Sequence, residues 1–258
     1  MHLVRLIVGG LTLLACCQAS VAQGSQEELL KKAADAAQQR DSKAAVRWAT
    51  QAIDAGDAPP VAFYLRGRER LRLADFSQAV DDFDQYIRLK PAIATRMWER
   101  GIACYYAGKF KEGVQQFRDY QTYHGNDVEN AVWFVACLAK VDGLKKAQTQ
   151  ILPIPFDRRV PMMEIYNLYR GAGTTEQVME AVKKGDPTPQ QLNDRLMYAH
   201  LYLGLYYELL GDGAKSLSHM RTAAEQHKNG NYMWDVARVH AAARSAAAKS
   251  TPRVDSNR

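Results

Sequence analysis

The sequence predicts an all-α protein, a superhelix of antiparallel helix pairs, and three observations carry that reading. The 258 residues hold only 17 Gly and 9 Pro, and most of the Pro gather at 59–60, 153–161 and 187–189. Long Ala-, Leu- and Gln-rich stretches between them are left free to form helix. The chain also repeats itself at a fixed interval, and the segment that interrupts the repeat carries helix caps of its own. With 47% hydrophobic and 24% charged residues, the chain can bury a sizeable core, which excludes collagen-like and wholly disordered classes. The net charge of +6 comes from 34 basic and 28 acidic residues that alternate along the chain. Phosphate binding needs basic charge gathered on one face, so no nucleic-acid partner is expected.

At an offset of 34, Arg66-Gly67 falls on Arg100-Gly101, Phe76 on Phe110, Val80 on Val114, Phe83 on Phe117 and Tyr86 on Tyr120. Composition alone would give about two such identities. Each unit places a Gly in its first helix where two helices must approach, then a tight turn (Ala74-Asp75, Gly108-Lys109). An aromatic residue opens the second helix, and a small residue, Ala79 or Gly113, follows three positions on, which puts both on one face. This pattern resembles the tetratricopeptide repeat, with Pro91 at its closing position in the first unit and Gly125 there in the second. The same frame projects back onto 27–60 through Ala33, Ala45, Ala49 and Ala52, and returns at 197–230 through Leu203-Gly204, Tyr207, Met220 and Ala223. A degenerate unit spans 132–151, and Gly67, Gly101 and Gly204 are expected at close helix crossings.

Residues 152–196 depart from the repeat. Leu152-Pro153-Ile154-Pro155 must be extended, because each Pro disfavours helix at the residue before it. Met162 to Tyr169 form a short helix ending near Gly171; Thr174 with Gln177 caps another that Gly185 ends. Thr188, Pro189 and Gln191 begin the next in the same way. The repeat region with this insertion spans 26–245, and the tail 246–258, which has no aromatic residue, is expected to be disordered.

The first two dozen residues form an export leader: a basic start at Met1–Arg5, an apolar run at 6–15 too short to span a bilayer, and Ser20-Val21-Ala22 as a cleavage site. Leu13-Leu14-Ala15-Cys16 also resembles a lipobox, in which Cys16 is lipidated. Both the 1–22 and the 1–15 leader remain open, and with them a soluble or a membrane-anchored product. In either case Cys104 and Cys137 enter an oxidising compartment; two buried thiols or a bridge both fit.

The order of the pieces is more particular. The degenerate unit ending in Leu144-Lys145-Lys146-Ala147 leads to a helix at Ile165-Tyr166, then Gly173-Thr174-Thr175-Glu176-Gln177, then Leu203-Gly204-Leu205-Tyr206-Tyr207. With Arg100-Gly101-Ile102-Ala103-Cys104, that order resembles the NlpI family of bacterial outer-membrane lipoproteins over about residues 60–243. The resemblance implies an exported, periplasmic or outer-membrane scaffold for cell-wall hydrolases and a periplasmic protease, doing no chemistry itself.

No catalytic constellation can be assembled: there is no Gly-x-Ser-x-Gly, His-Glu-x-x-His, phosphate loop or Cys-x-x-Cys. The six histidines are scattered, so no metal or cofactor is expected, and Asp81, Asp82 and Asp84 read as a solvated face paired with Arg88. The concave surface remains. Outward positions of the first helices select Tyr64, Arg68, Arg72, Trp98 and Tyr105, where guanidinium groups beside rings suit a peptide from an envelope protein. Arg66 and Arg100 instead face the partner helix of their own unit. Packing of the rings on the 152–196 insertion or on a neighbouring protomer is the competing arrangement, and a structural subunit that oligomerises through its repeats the competing function.

Overall fold

The computed structural model describes residues 25–250. Helices α1 (25–38), α2 (Ser42–Asp54), α3 (Pro60–Arg72), α4 (Phe76–Leu89), α5 (Trp98–Tyr106), α6 (Phe110–Tyr123), α7 (Val128–Asp142) and α8 (Leu144–Thr149) follow one another as hairpins. After the interruption come α9 (Met162–Tyr169), α10 (Thr175–Ala181), α11 (Pro189–Leu209), α12 (Gly213–Arg221) and α13 (Tyr232–Ser250). From α2 on, helices adjacent in sequence pack together within both runs, and no strand occurs among the described residues. None of their helices is long and apolar enough to cross a membrane. Cys16 and Ala22 lie outside the described residues.

The repeat register is written into the turns. Arg40, Ala74 and Gly108, spaced by 34, all take the left-handed conformation, with φ of 61°, 66° and 75°. Each lets the next amide return to the helix it has just left: Asp41 N–H to Ala36 O, Asp75 to Arg70 and Lys109 to Cys104, all 2.9 Å. That is the Schellman closure, and it satisfies carbonyls the helix end would otherwise leave unpaired. The unit at 27–60 therefore has the same geometry as the two stronger ones.

Glycine sets how closely the helices cross. A Cβ at Gly101 would lie 2.5 Å from Phe117 Cζ, one at Gly67 3.0 Å from Phe83 Cε1, and one at Gly204 2.8 Å from Met220 Cγ. Arg66 acts within its unit, as expected, donating to Asp82 at 2.7 Å, while Arg100 pairs with Asp84. Only Asp81 of the acidic run keeps to a solvated face, near Lys109. Asp82 is buried between Arg66 and Arg70, Asp84 is taken by Arg100, and Arg88 is left with Gln85. Arginines seven positions into a unit pull these carboxylates inward, because a buried carboxylate needs a charged partner.

In the insertion both capping boxes form, at Thr174 with Gln177 and at Thr188 with Gln191, the second with Pro189 in the first turn. Helix α11 then continues without a break across residue 197 into the last unit, so its first helix is longer than the repeat frame allows. The backbone of α13 is likewise helical to Ser250, beyond residue 246 where the tail was expected to be disordered. The Ala-rich sequence keeps a high helix propensity there.

Helix α13 closes the array by packing on α3, α11 and α12. In its first turn Asp235, fully buried, accepts from Arg40 Nη1 at 2.7 Å and Arg72 Nε at 2.9 Å, so the first units grip the start of the last helix. Arg40 also donates to Gly230 O at 2.7 Å and stacks over Trp234, 4.7 Å from its ring centre. A carboxylate is favourably placed at a helix N-terminus as well.

Two stability outcomes follow from this packing. Gly101→Leu should overpack the crossing with Phe117 and cost about 1–3 kcal/mol by urea denaturation; an unchanged midpoint would refute the register. Asp235→Ala removes the carboxylate that Arg40 and Arg72 share, leaving Arg72 with Glu69 alone, and should cost roughly 3 kcal/mol by the same measurement, whereas a loss like that of an exposed pair would show that closure does not depend on it.

Candidate functional site

The expected concave surface is occupied by the chain itself. Tyr232, the first residue of α13, inserts among the first-helix residues: Trp98 meets it edge-on with ring centres 5.2 Å apart, and the guanidinium carbons of Arg68 and Arg72 lie 4.5 and 5.7 Å from its ring. Tyr64 stacks under Arg68 and donates its hydroxyl to Glu99 at 2.7 Å. Three of the five expected partner residues, Arg68, Arg72 and Trp98, thus surround one ring, and Tyr64 backs them through Arg68. Tyr105 does not join them. It is 3% exposed, packed edge-on against Trp133 and donating to Glu208 at 2.7 Å, so it offers no surface to a partner. The open groove is absent because α13 satisfies the same aromatic and arginine groups that a peptide would; neither the 152–196 insertion nor a second protomer is needed to cover them.

Glu208 near the end of α11 anchors the other end of this contact. Its carboxylate also receives two bonds from Arg244 at 2.7 and 2.8 Å and lies 2.9 Å from His240 Nε2, whose other ring nitrogen is 3.0 Å from Tyr106 Oη. Burial pushes this carboxyl up, but hydrogen bonds and charge from His240 and Arg244 more than offset it and hold Glu208 well below the usual carboxylate range.

What closure leaves open is a cavity of about 290 Å³ between α5, α6, α7, α11 and the start of α13. Trp98, Tyr120, Trp133, Tyr198 and Tyr232 give it aromatic walls, and Asp127 and Glu129 from the start of α7 give it two carboxylates. None of its lining residues is basic. Asp127 caps α7 by accepting from Glu129 N–H at 3.1 Å, and Arg159 bridges Asp127, Glu129 and Asp157. Glu129 also accepts from Tyr202, and its carboxyl is pushed above the usual range, chiefly by burial. Three lining residues each carry a buried polar atom with no hydrogen-bond partner among the described residues: Asn130 Oδ1, Trp133 Nε1 and the Tyr232 hydroxyl. Such atoms are costly to leave unpaired.

The sequence reading missed this cavity and the helix that builds it. Asn231, whose side chain accepts from Trp234 N–H at 2.7 Å, is an N-cap signal visible in the sequence. Apolar residues on several faces of the following stretch (Tyr232, Met233, Val236, Ala237, Val239) mark a helix packed on more than one side. It also scattered histidines that the fold gathers. His200 and His219 approach to 2.8 Å between Nδ1 atoms, and the rings of His227 and His200 stack at 5.6 Å. No group of three or more metal-ligating side chains is placed to hold an ion among the described residues. Cys104 and Cys137 are both buried free thiols, and burial pushes Cys104 up to about 11, so little reactive thiolate is present near neutral pH.

No family model matches the chain. Among solved structures it is similar to a tetratricopeptide repeat protein from Parabacteroides merdae, at 14% identity over 90% of this chain and 95% of that chain, with a TM-score of 0.47.

The histidine stack makes stability depend on pH. Burial, then the charges of His219 and His227, push His200 down to about 4, and burial lowers the other two as well. The unfolded chain protonates these groups near their ordinary value of 6.5 and the folded chain only below it. Stability is therefore unaffected by the stack above 6.5, falls as pH drops toward 4, and carries the full cost below that. His200→Phe should shrink the difference between urea midpoints at about pH 7.5 and pH 4.5; an equal difference in both proteins would count against the stack as its source.

Proposed function

We propose that this protein is a non-catalytic adaptor of the cell envelope, exported by its leader and binding a segment of a partner protein at the cavity left by closure of the helical array. One observation carries the reading: closure leaves a cavity of about 290 Å³ with Trp98, Tyr120, Trp133, Tyr198 and Tyr232 as aromatic walls and the carboxylates of Asp127 and Glu129 at its lining. A structural void would be apolar, whereas a recognition site keeps donors and acceptors for what it binds. Trp98 and Tyr198, half-buried at the wall, provide contact area of the kind that anchors peptides. Tyr64, Arg68 and Arg72 serve this site by holding the Tyr232 ring in place. The leader at 1–22, or the lipobox ending at Cys16, supports the envelope setting and allows attachment through an acyl chain.

The second reading, a subunit that self-associates, is favoured by a different surface. Leu30, Ala34, Val61 and Leu65 form an apolar face between α1 and α3, and Val61 is 53% exposed. Light scattering of the mature protein separates the two.

Capture from envelope extracts with immobilised mature protein tests the adaptor reading. Trp98→Ala, checked for an unchanged helical signal, should weaken retrieval by about 30-fold if Trp98 is an anchor. A folded variant that retrieves the same proteins in full would exclude the cavity as the site.

A further inference from the structure

We infer that the imidazoles of His200 and His219 form a binding site for a divalent transition-metal cation of the copper(II) or nickel(II) kind. None of the residues lining the cavity takes part, and the site does not depend on the adaptor reading. Its ligands come from two helices, His200 from α11 and His219 from α12, and their Nδ1 atoms are 2.8 Å apart. Two ring nitrogens that close cannot both carry a proton, so at least one turns a lone pair toward the other ring. Imidazole nitrogens bind first-row divalent ions at about 2.0–2.1 Å, so a pair at right angles on one ion lies about 2.8–3.0 Å apart. The tetrahedral arrangement preferred by zinc would need about 3.3–3.4 Å. The observed spacing fits adjacent positions of a tetragonal ion, the geometry of copper(II) and nickel(II) with nitrogen ligands.

The surroundings hold the pair ready. Tyr207 stacks on His219 with ring planes 15° and centres 5.4 Å apart, and His227 stacks on His200 with planes 13° and centres 5.6 Å apart. Both ligand rings therefore lie against flat neighbours, and His227 is itself fixed by Asn193, 3.2 Å from its Nδ1. Ligands ordered before the ion arrives reduce the entropy that binding must give up. The outer nitrogens are suitably placed as well. Nε2 of each ligand ring makes no hydrogen bond among the described residues and is not one of the side-chain atoms cut off from water. When the ion takes both Nδ1 atoms, the proton that one of them held moves to its Nε2, where water accepts the hydrogen bond. Neither ring has a carboxylate within ion-pair distance among the described residues, unlike His240, so none competes for that proton. No third histidine, cysteine or carboxylate converges with the pair there, and water completes the coordination. An ion so bound pins α11 to α12, the hairpin on which α13 packs.

The test uses the mature protein stripped of metal by a chelator, with copper(II) and nickel(II) chloride as probes and calcium chloride as the control. One copper(II) ion should bind per chain, and pulsed electron paramagnetic resonance should show two imidazole nitrogens on it. Copper(II) and nickel(II), but not calcium, should raise the urea midpoint, because an ion that prefers the folded chain stabilises it. His219→Gln, at a half-exposed position, should weaken copper(II) binding at least about tenfold with the helical signal retained, and leave no more than one imidazole on the ion. His124→Gln, at an exposed position outside the stack, should change neither result. In the unaltered protein, copper(II) should broaden the ring proton signals of His200 and His219 before those of His124, a readout that needs no variant to fold. Absence of binding by either metal ion, a spectrum with one imidazole or none, or loss of binding through His124→Gln and not through His219→Gln would overturn the inference. Broadening led by His124 would overturn it equally.

Discussion

A carboxylate with no access to water decides the shape of this molecule. Asp235 is fully buried at the start of α13, and the guanidinium groups of Arg40 and Arg72, with Arg238 farther off at 3.7 Å, make that burial tolerable. Arg40 and Arg72 come from the N-terminal units, so the last helix can dock in one place along the array. From that contact the rest follows: Tyr232 is driven between Trp98 and Arg68, and Arg244 and His240 are brought to Glu208. A stack of hairpins joined only by neighbour contacts thereby gains a long-range tie.

The same tie shapes the cavity. Trp133 and Asn130 belong to α7, whose buried residues are apolar apart from Asn130, and α13 adds Tyr232 and Met233 to the lining. Asn130, Trp133 and Tyr232 each keep one buried polar atom without a hydrogen-bond partner among the described residues. Burial of unpaired donors and acceptors costs free energy, so the closed form is not packed for stability alone.

Much of the fold could be read from the chain because its determinants are local. Gly67, Gly101 and Gly204 announce close crossings by their size, the turn residues recur with the repeat, and Thr174 and Thr188 sit three residues before the glutamines that complete their boxes. The sites were less legible because their determinants lie far apart in sequence. Arg72 and Asp235 are 163 positions apart, and nothing about an arginine on a first helix says whether a peptide or the chain's own carboxylate will meet it. Tyr64, Arg68 and Trp98 stand on first helices at positions a partner could use, but α13 lays Tyr232 against them and takes those positions up. Asp82 shows the same effect on a smaller scale, since its burial depends on arginines of the preceding helix and not on its acidic neighbours.

Closure also bears on how such a protein can change over evolutionary time. Open solenoids lengthen or shorten by whole units because each unit touches only its neighbours, and their ends need nothing more than a polar capping face. Here an added or lost hairpin between α3 and α13 would shift Asp235 past Arg40 and Arg72 by a full helix pair and part it from both. The contact between first and last units therefore counts the repeats, and duplication, the usual route by which such arrays diversify, is closed to this one unless the clamp is rebuilt at the same step.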